Sequence, residues 1–141
     1  MSQWIYQNKP FTTTEIPDGV CSFVYQITCL KTHKKYIGKK QLTFSRSRKV
    51  KGRRKRKIIK SDWETYYGSN AELLREVKVL GEDQFHREIL FLCKTKGWAS
   101  YLEAKLIFEK DAILSEDYYN DWCYVRVRKS HLRLDITAPV S

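Results

Sequence analysis

The sequence predicts an α+β fold, an α/β sandwich in which a small central, mainly antiparallel three-stranded sheet is flanked by helices. Three observations lead there. The apolar, β-branched run Cys21 to Leu30 and a second run opening at Lys35-Tyr36-Ile37-Gly38 are separated only by the polar Lys31-Thr32-His33-Lys34, the pattern of an antiparallel hairpin. A third such run, Phe85 to Cys93, lies between two segments of helical character. The chain has 141 residues and no internal repeat, which suits one compact domain.

Residues 1–19 hold Pro10, Pro17 and three successive threonines, and read as an extended N-terminal arm closed by the turn signal Asp18-Gly19. The hairpin follows, and after its second strand comes a basic insert, residues 39–60. Its density of like charge argues against a stable isolated helix. It predicts a loop that orders when phosphate arrives, with a helical piece near Leu42 to Arg48. Order resumes at Trp63 to Gly68, where Trp63, Tyr66 and Tyr67 either stack on bases or pack under the insert. Ser69-Asn70-Ala71-Glu72 has the form of a capping box. The helix it opens carries Leu73, Val77 and Leu80, and Gly81 suits its end. Phe85 to Cys93 is the third strand, with Arg87 and Glu88 read as alternating on its solvent face. Ser100 to about Ile113 is a second helix, punctuated by Tyr118-Tyr119-Asn120. Trp122 to Arg128 reads as a last short strand or extension. The folded domain is thus expected over residues 20–124, with a C-terminal extension over 125–141.

Apolar residues make up 42% and charged residues 30%, as in ordinary globular proteins. No apolar run reaches the roughly 18 residues of a membrane span. Met1 to Pro10 lacks the basic-then-apolar order of a secretory signal, so a cytoplasmic location is expected. The cysteines at 21, 29, 93 and 123 form no CxxC, and no histidine stands at zinc-finger spacing, so they read as plain thiols.

The net charge is +11, and all of it is local. Lys39, Lys40, Arg46, Arg48, Lys49, Lys51, Arg53, Arg54, Lys55, Arg56, Lys57 and Lys60 are 12 of the 27 basic residues, in a stretch without Asp or Glu. The remainder carries 15 bases against 16 acids. Charge concentrated in this way attracts a polyanion. Nucleic acid is the favoured partner, because neutralising its phosphates releases counterions, whereas a membrane-surface patch would want apolar residues interleaved.

Glu103 is the odd residue of the second helix. With Leu102 at zero and about 100° per residue, Leu106 falls near 40°, Ala99 near 60° and Ile107 near 140°. Glu103 falls near 100°, inside this apolar arc, where a lone carboxylate is costly. It either completes a capping box begun by Ser100, pairs with Lys110, sits at an edge of a rotated helix, or serves chemistry as a metal ligand. Tyr25 and Tyr36, eleven apart across the tight loop, would come close on one face of the hairpin.

The strand Phe23-Val24-Tyr25 followed by Tyr36-Ile37-Gly38 resembles the paired motifs of the GIY-YIG nucleases. The second motif is intact, while Phe23-Val24 replaces Gly-Ile in the first. Tyr36 to Lys40, Trp63 to Ser69 and Phe85 to Leu90 add a likeness to small phage-encoded homing-type endonucleases of that family. The resemblance implies a DNA endonuclease that hydrolyses phosphodiester bonds with one divalent metal ion, Mg²⁺ or another such as Mn²⁺. It implies Glu103 as the metal ligand, with Glu109 as runner-up, and catalytic roles for Tyr25, Tyr36 and Asn120. Tyr25 is the first choice to orient or deprotonate the attacking water, with Tyr36 assisting. The family also has an arginine on a helix soon after Tyr-Ile-Gly, for which Arg46 is chosen and Arg48 is the alternate. Lys39 and Lys40 would touch phosphate near the site, and Lys49 to Lys60 would bind the rest of the DNA. No organic cofactor is implied. The rival reading is a non-catalytic nucleic-acid-binding protein, either a decayed nuclease or a basic protein associated with RNA or the ribosome. The sequence sets neither the DNA target, nor nicking against double-strand cleavage, nor the oligomeric state.

Overall fold

A computed structural model describes residues 2–123, with backbone alone for 45–50 and 54–57; the extension expected at 125–141 lies outside the described residues. The arm opens with two short strands, β1 (Trp4–Tyr6) and β2 (Lys9–Pro10). They are turned by Gln7 and Asn8 at φ 50° and 67°, the two positive values of a tight hairpin turn. The expected hairpin is β3 (Ser22–Cys29) and β4 (Lys35–Gln41), in register with Tyr25 opposite Gly38 and Ile27 opposite Tyr36. A second hairpin, β5 (Thr43–Val50) and β6 (Arg53–Lys60), precedes a 3-10 turn at Trp63–Thr65. Helix α1 (Ala71–Leu80), strand β7 (Phe85–Cys93) and helix α2 (Lys96–Glu109) complete the described elements. None of these helices is long and apolar enough to cross a membrane.

The fold is α+β with a mostly antiparallel sheet, but the sheet has five strands, ordered β2-β1-β7-β3-β4. The arm supplies the extra two. β1 lies parallel to β7, with Trp4 opposite Arg87. Trp4 explains why the arm folds back: it is 2% exposed, and its indole N–H donates to the Trp63 carbonyl at 2.7 Å.

β3 is the central strand, and the alternation of its side chains builds two cores. Phe23, Tyr25, Ile27 and Cys29 join Trp4, Trp63, Leu73 and Val77 on the α1 face. Val24 joins Ile37, Ala99, Leu102 and Ile107 on the α2 face. Trp63 and Tyr67 are thus core, which settles them as packing residues.

The basic insert is a β-hairpin, not a helix or an unstructured loop. Lys51 and Gly52 at φ 53° and 76° give the two-residue turn whose twist suits paired strands. Phe44 opposite Ile59 supplies apolar, β-favouring residues at the base. Further out the register sets cation opposite cation, Arg48 with Lys55 and Lys49 with Arg54. Like charges set opposite each other oppose pairing.

Three local readings shift. The α1 cap is Asn70, whose side chain accepts from the Leu73 amide at 3.0 Å, while Glu72 instead pairs with Lys34 at 2.9 Å. α2 starts at Lys96, capped by Thr95, so Ser100 lies within the helix and starts no capping box with Glu103. Arg87 faces inward at 1% exposure. Its guanidinium donates to the carbonyls of Ser2, Glu64 and Tyr66 and lies 4.2–4.6 Å from the rings of Tyr67 and Trp4. Trp122 and Cys123 are not in a strand, and 124–128 lie outside the described residues.

Candidate active site

β4 is the edge strand of the sheet, and a cavity of about 300 Å³ opens along it where the two faces meet. Its lining gathers residues from both sides. Tyr25, Tyr36 and the α1 start, Ser69 to Ala71, come from one; Ile37, Lys39, Glu103 and Ile107 come from the other. Asn120 to Cys123 close the end.

The tyrosines meet as the hairpin register requires, their ring centroids 6.2 Å apart. Their environments differ. Tyr25 is 1% exposed, and burial, then the neighbouring phenols of Tyr66 and Tyr36, hold its hydroxyl well above the ordinary tyrosine range. Tyr66 meets it edge-on, with ring centroids 6.1 Å apart. Tyr36 is half-buried, and its hydroxyl lies 3.1 Å from Ser69 Oγ. Burial raises its pKa as well, partly offset by the Ser69 contact.

Gly38 makes this arrangement fit. It stands opposite Tyr25 on the neighbouring strand, and the Tyr25 phenol fills the space where a side chain on residue 38 would go. The glycine of Tyr-Ile-Gly is therefore a close-approach residue; its role lies in space and not in backbone angle.

Asn120 is 6% exposed and devotes its amide to one backbone unit. Its Oδ1 accepts from the Ile37 N–H at 3.0 Å, and its Nδ2 donates to the Ile37 carbonyl at 2.8 Å. It thereby imitates a neighbouring strand on the open edge of β4. The backbone just before it does the same, with the Tyr119 amide donating to the Lys35 carbonyl at 2.7 Å. Asn120 thus fixes the strand between Tyr36 and Gly38.

Glu103 reaches the cavity from the middle of α2, half-buried. Burial lifts its carboxyl above the ordinary value, while the Lys39 ammonium and a hydrogen bond from the Lys39 backbone pull it back down. Lys39 is thus the cation that acts on this carboxylate, and its ammonium donates to Ser100 Oγ at 2.6 Å. Lys110 ends the helix, exposed, and Glu109 is exposed and within 3.8 Å of Lys105. Among the described residues no three His, Cys, Asp or Glu side chains cluster as a metal site, so a cation here would rest on Glu103 with water or substrate oxygens. A hard divalent ion that keeps several waters would fit such a site, whose lining carries the half-buried Glu103 carboxylate and the exposed Asp121.

The structure therefore brings together Tyr25, Tyr36, Lys39, Glu103 and Asn120. Lys40 lies beside them, its ammonium 4.1 Å over the Tyr66 ring and 2.6 Å from Asp62. Arg46 and Arg48 lie three and five residues along β5 from its start, on a strand rather than a helix, with side chains outside the described residues. Lys49 and Arg54 to Lys57 are placed by backbone register alone, and Lys51, Arg53 and Lys60 are exposed on the same hairpin. Ser69, Asp121 and Trp122 also line the cavity, although the sequence gives none of them a role in the site. Tyr66 was weighed there only for stacking or packing, and it contacts Tyr25 directly.

A family model described as "Putative endonuclease segE, GIY-YIG domain" matches residues 4–123. No curated protein and no solved structure matches the chain.

Proposed function

The chain belongs to the SegE-type GIY-YIG endonuclease domain family, and on that premise we propose that it hydrolyses phosphodiester bonds in DNA at the cavity beside β4. The single observation that carries this reading is the convergence of Tyr25, Tyr36 and Glu103, from two strands and a helix, on one open cavity next to Lys39.

In the proposed reaction a water oxygen attacks phosphorus, the bond to the 3′ oxygen breaks, and that oxygen leaves. Glu103, with its open surroundings, would hold a divalent cation, Mg²⁺ or Mn²⁺, which when bound supplies charge neutralisation at the phosphate and at the departing oxygen. The tyrosine pair orients the water through hydrogen bonds. Both phenols have raised pKa values, so neither is ionised in advance. The Tyr36 hydroxyl takes the water's proton while its own passes on to solvent, and the departing 3′ oxygen takes up a proton from solvent. Tyr36 is the more accessible of the two, and Tyr25 packs behind it against Tyr66. Asn120 keeps Tyr36 and Gly38 in place through Ile37. Arg46, with Arg48 as alternate, is the arginine proposed to contact the scissile phosphate, brought in by the hairpin.

The β5–β6 ribbon is the proposed DNA-binding arm. Eight residues per strand give a length of roughly 27 Å, and a two-stranded ribbon fits the major groove. Lys49, Lys51, Arg53, Arg54, Lys55, Arg56, Lys57 and Lys60 would bring the phosphate affinity there. The likeness to homing-type phage enzymes makes mobile-element DNA in a host-cell cytoplasm the proposed setting.

Supercoiled plasmid tests the activity. Relaxed or linear product in Mg²⁺ and none in EDTA is the expected result. Salt-sensitive binding with no cutting under either condition would contradict it and favour a binding protein.

A further inference from the structure

We propose that a second cavity, sharing Lys39 with the first, binds the neighbouring phosphate of the same DNA strand through Lys40 and Lys96; this rests on the nuclease reading above. The cavity measures about 300 Å³ and is lined by Lys39, Lys40 and Lys96 with Phe44, Ser61 and Asp62 among others. It lies at the base of the β5–β6 hairpin, between the ribbon and the start of α2.

Its charge is unbalanced. Three lysines contribute to its lining, and Asp62 is the one carboxylate there. Like charges around a space of this size repel unless an anion enters. Each lysine has a different standing. Lys39 already serves Ser100 and Glu103 on the side of the first cavity. Lys96 is exposed and makes no ion pair among the described residues. Lys40 is 19% exposed, fixed over the Tyr66 ring, and bound to an Asp62 whose side chain is 70% exposed. The lysine is the more buried member of that pair and the aspartate the more exposed one. Lys40 holds the Asp62 carboxyl below its ordinary range, so Asp62 is an anion over the working pH range. It occupies the position that a phosphate oxygen would take.

The shared Lys39 argues for the source of that phosphate. A strand held at Glu103 that continues past Lys39 enters the second cavity, and a DNA strand carries a charge at about every 3.4 Å of rise. The next phosphate then meets Lys40 and Lys96, displacing Asp62. Beyond it the backbone reaches Phe44 and the hairpin base. The scissile phosphate and the ribbon are joined in this way by one continuous cationic path.

The test is binding of a short labelled duplex of arbitrary sequence, followed by fluorescence anisotropy in EDTA from about 50 to 200 mM salt. Lys96→Gln should lower the slope of log K against log salt by about 0.9, one phosphate's worth. Asp62→Asn should steepen it and tighten binding, because it frees Lys40. Lys105→Gln, an exposed lysine elsewhere on α2, should leave the slope at the wild-type value. A Lys96→Gln slope equal to wild type, or an equal loss in Lys105→Gln, would overturn the subsite. So would an Asp62→Asn protein that binds no tighter. Cleavage plays no part in this readout. An inactive wild type would count against the nuclease reading while the slopes still decide the subsite.

Discussion

The Tyr25 phenol occupies the space that a side chain on Gly38 would need. A Cβ there would lie 2.6 Å from Tyr25 Cζ, closer still to the hydroxyl, and 3.0 Å from Tyr36 Cε2. Tyr25 has no room to retreat, since it packs against Trp4, Phe23, Tyr36 and Tyr66. Gly38→Ala should therefore cost about 1–3 kcal/mol of stability through overpacking. It should lower cleavage by more than the lost folded fraction, because both tyrosines shift. Urea midpoints measured alongside plasmid cleavage separate the two effects. Full activity in a destabilised variant would contradict the placement of the tyrosines.

Asn120→Ala removes both hydrogen bonds to Ile37 and leaves an N–H and a carbonyl of β4 unpaired. The expected loss is about 2–4 kcal/mol. Amide exchange should show it locally, with the Ile37 N–H losing protection before the amides of β3. Unchanged Ile37 protection would show that another group pairs this edge.

Arg87→Lys should be destabilising although the charge is kept. A single ammonium cannot serve the carbonyls of Ser2, Glu64 and Tyr66 as a planar guanidinium does. A loss of about 2–4 kcal/mol is expected from the charge-assisted bonds alone. Near-UV circular dichroism should report the loosened Trp4 and Tyr67 around it. A melting temperature equal to wild type would refute this account of the buried arginine.

Burial raises the Glu103 carboxyl above its ordinary value, so the folded state favours the protonated form. That contribution is complete below the unfolded pKa and is lost as pH rises through the folded one. At neutral pH the half-buried carboxylate therefore weighs against folding, and Glu103→Gln relieves it. The variant should melt higher than wild type at pH 7 and show no advantage below about pH 4. Wild-type cleavage should rise with pH as Glu103 ionises. A Glu103→Gln protein less stable than wild type at pH 7 would show that Lys39 outweighs the burial.

Where local pattern and tertiary role agree, the sequence was sufficient. Phe85 to Cys93 is a strand in both readings, Tyr25 and Tyr36 meet because hairpin register is set by a short loop, and Glu103 stood out because an acid in an apolar arc needs a reason. Like charge argues against order of the basic insert in isolation, but Lys51-Gly52 and the Phe44–Ile59 pair provide a turn and an apolar base, so it pairs as a hairpin. The arm's two strands depend on Trp4 reaching Trp63, a contact 59 residues away that no local window contains. Strand alternation alone puts Arg87 outside, because its partners are backbone carbonyls and ring faces, which leave no charge pattern to find. Ser69, Asp121 and Trp122 reach the cavity only through the way α1 and the end of the domain meet β4.

The central claim is that Glu103 is the residue on which metal-dependent cutting rests. The rate of supercoiled-plasmid cleavage in saturating Mg²⁺ by Glu103→Gln, beside wild type with and without EDTA, tests it most directly. The account predicts cutting by wild type in Mg²⁺, none in EDTA, and none above background by a well-folded variant. A variant that cuts in Mg²⁺ at the wild-type rate would contradict it.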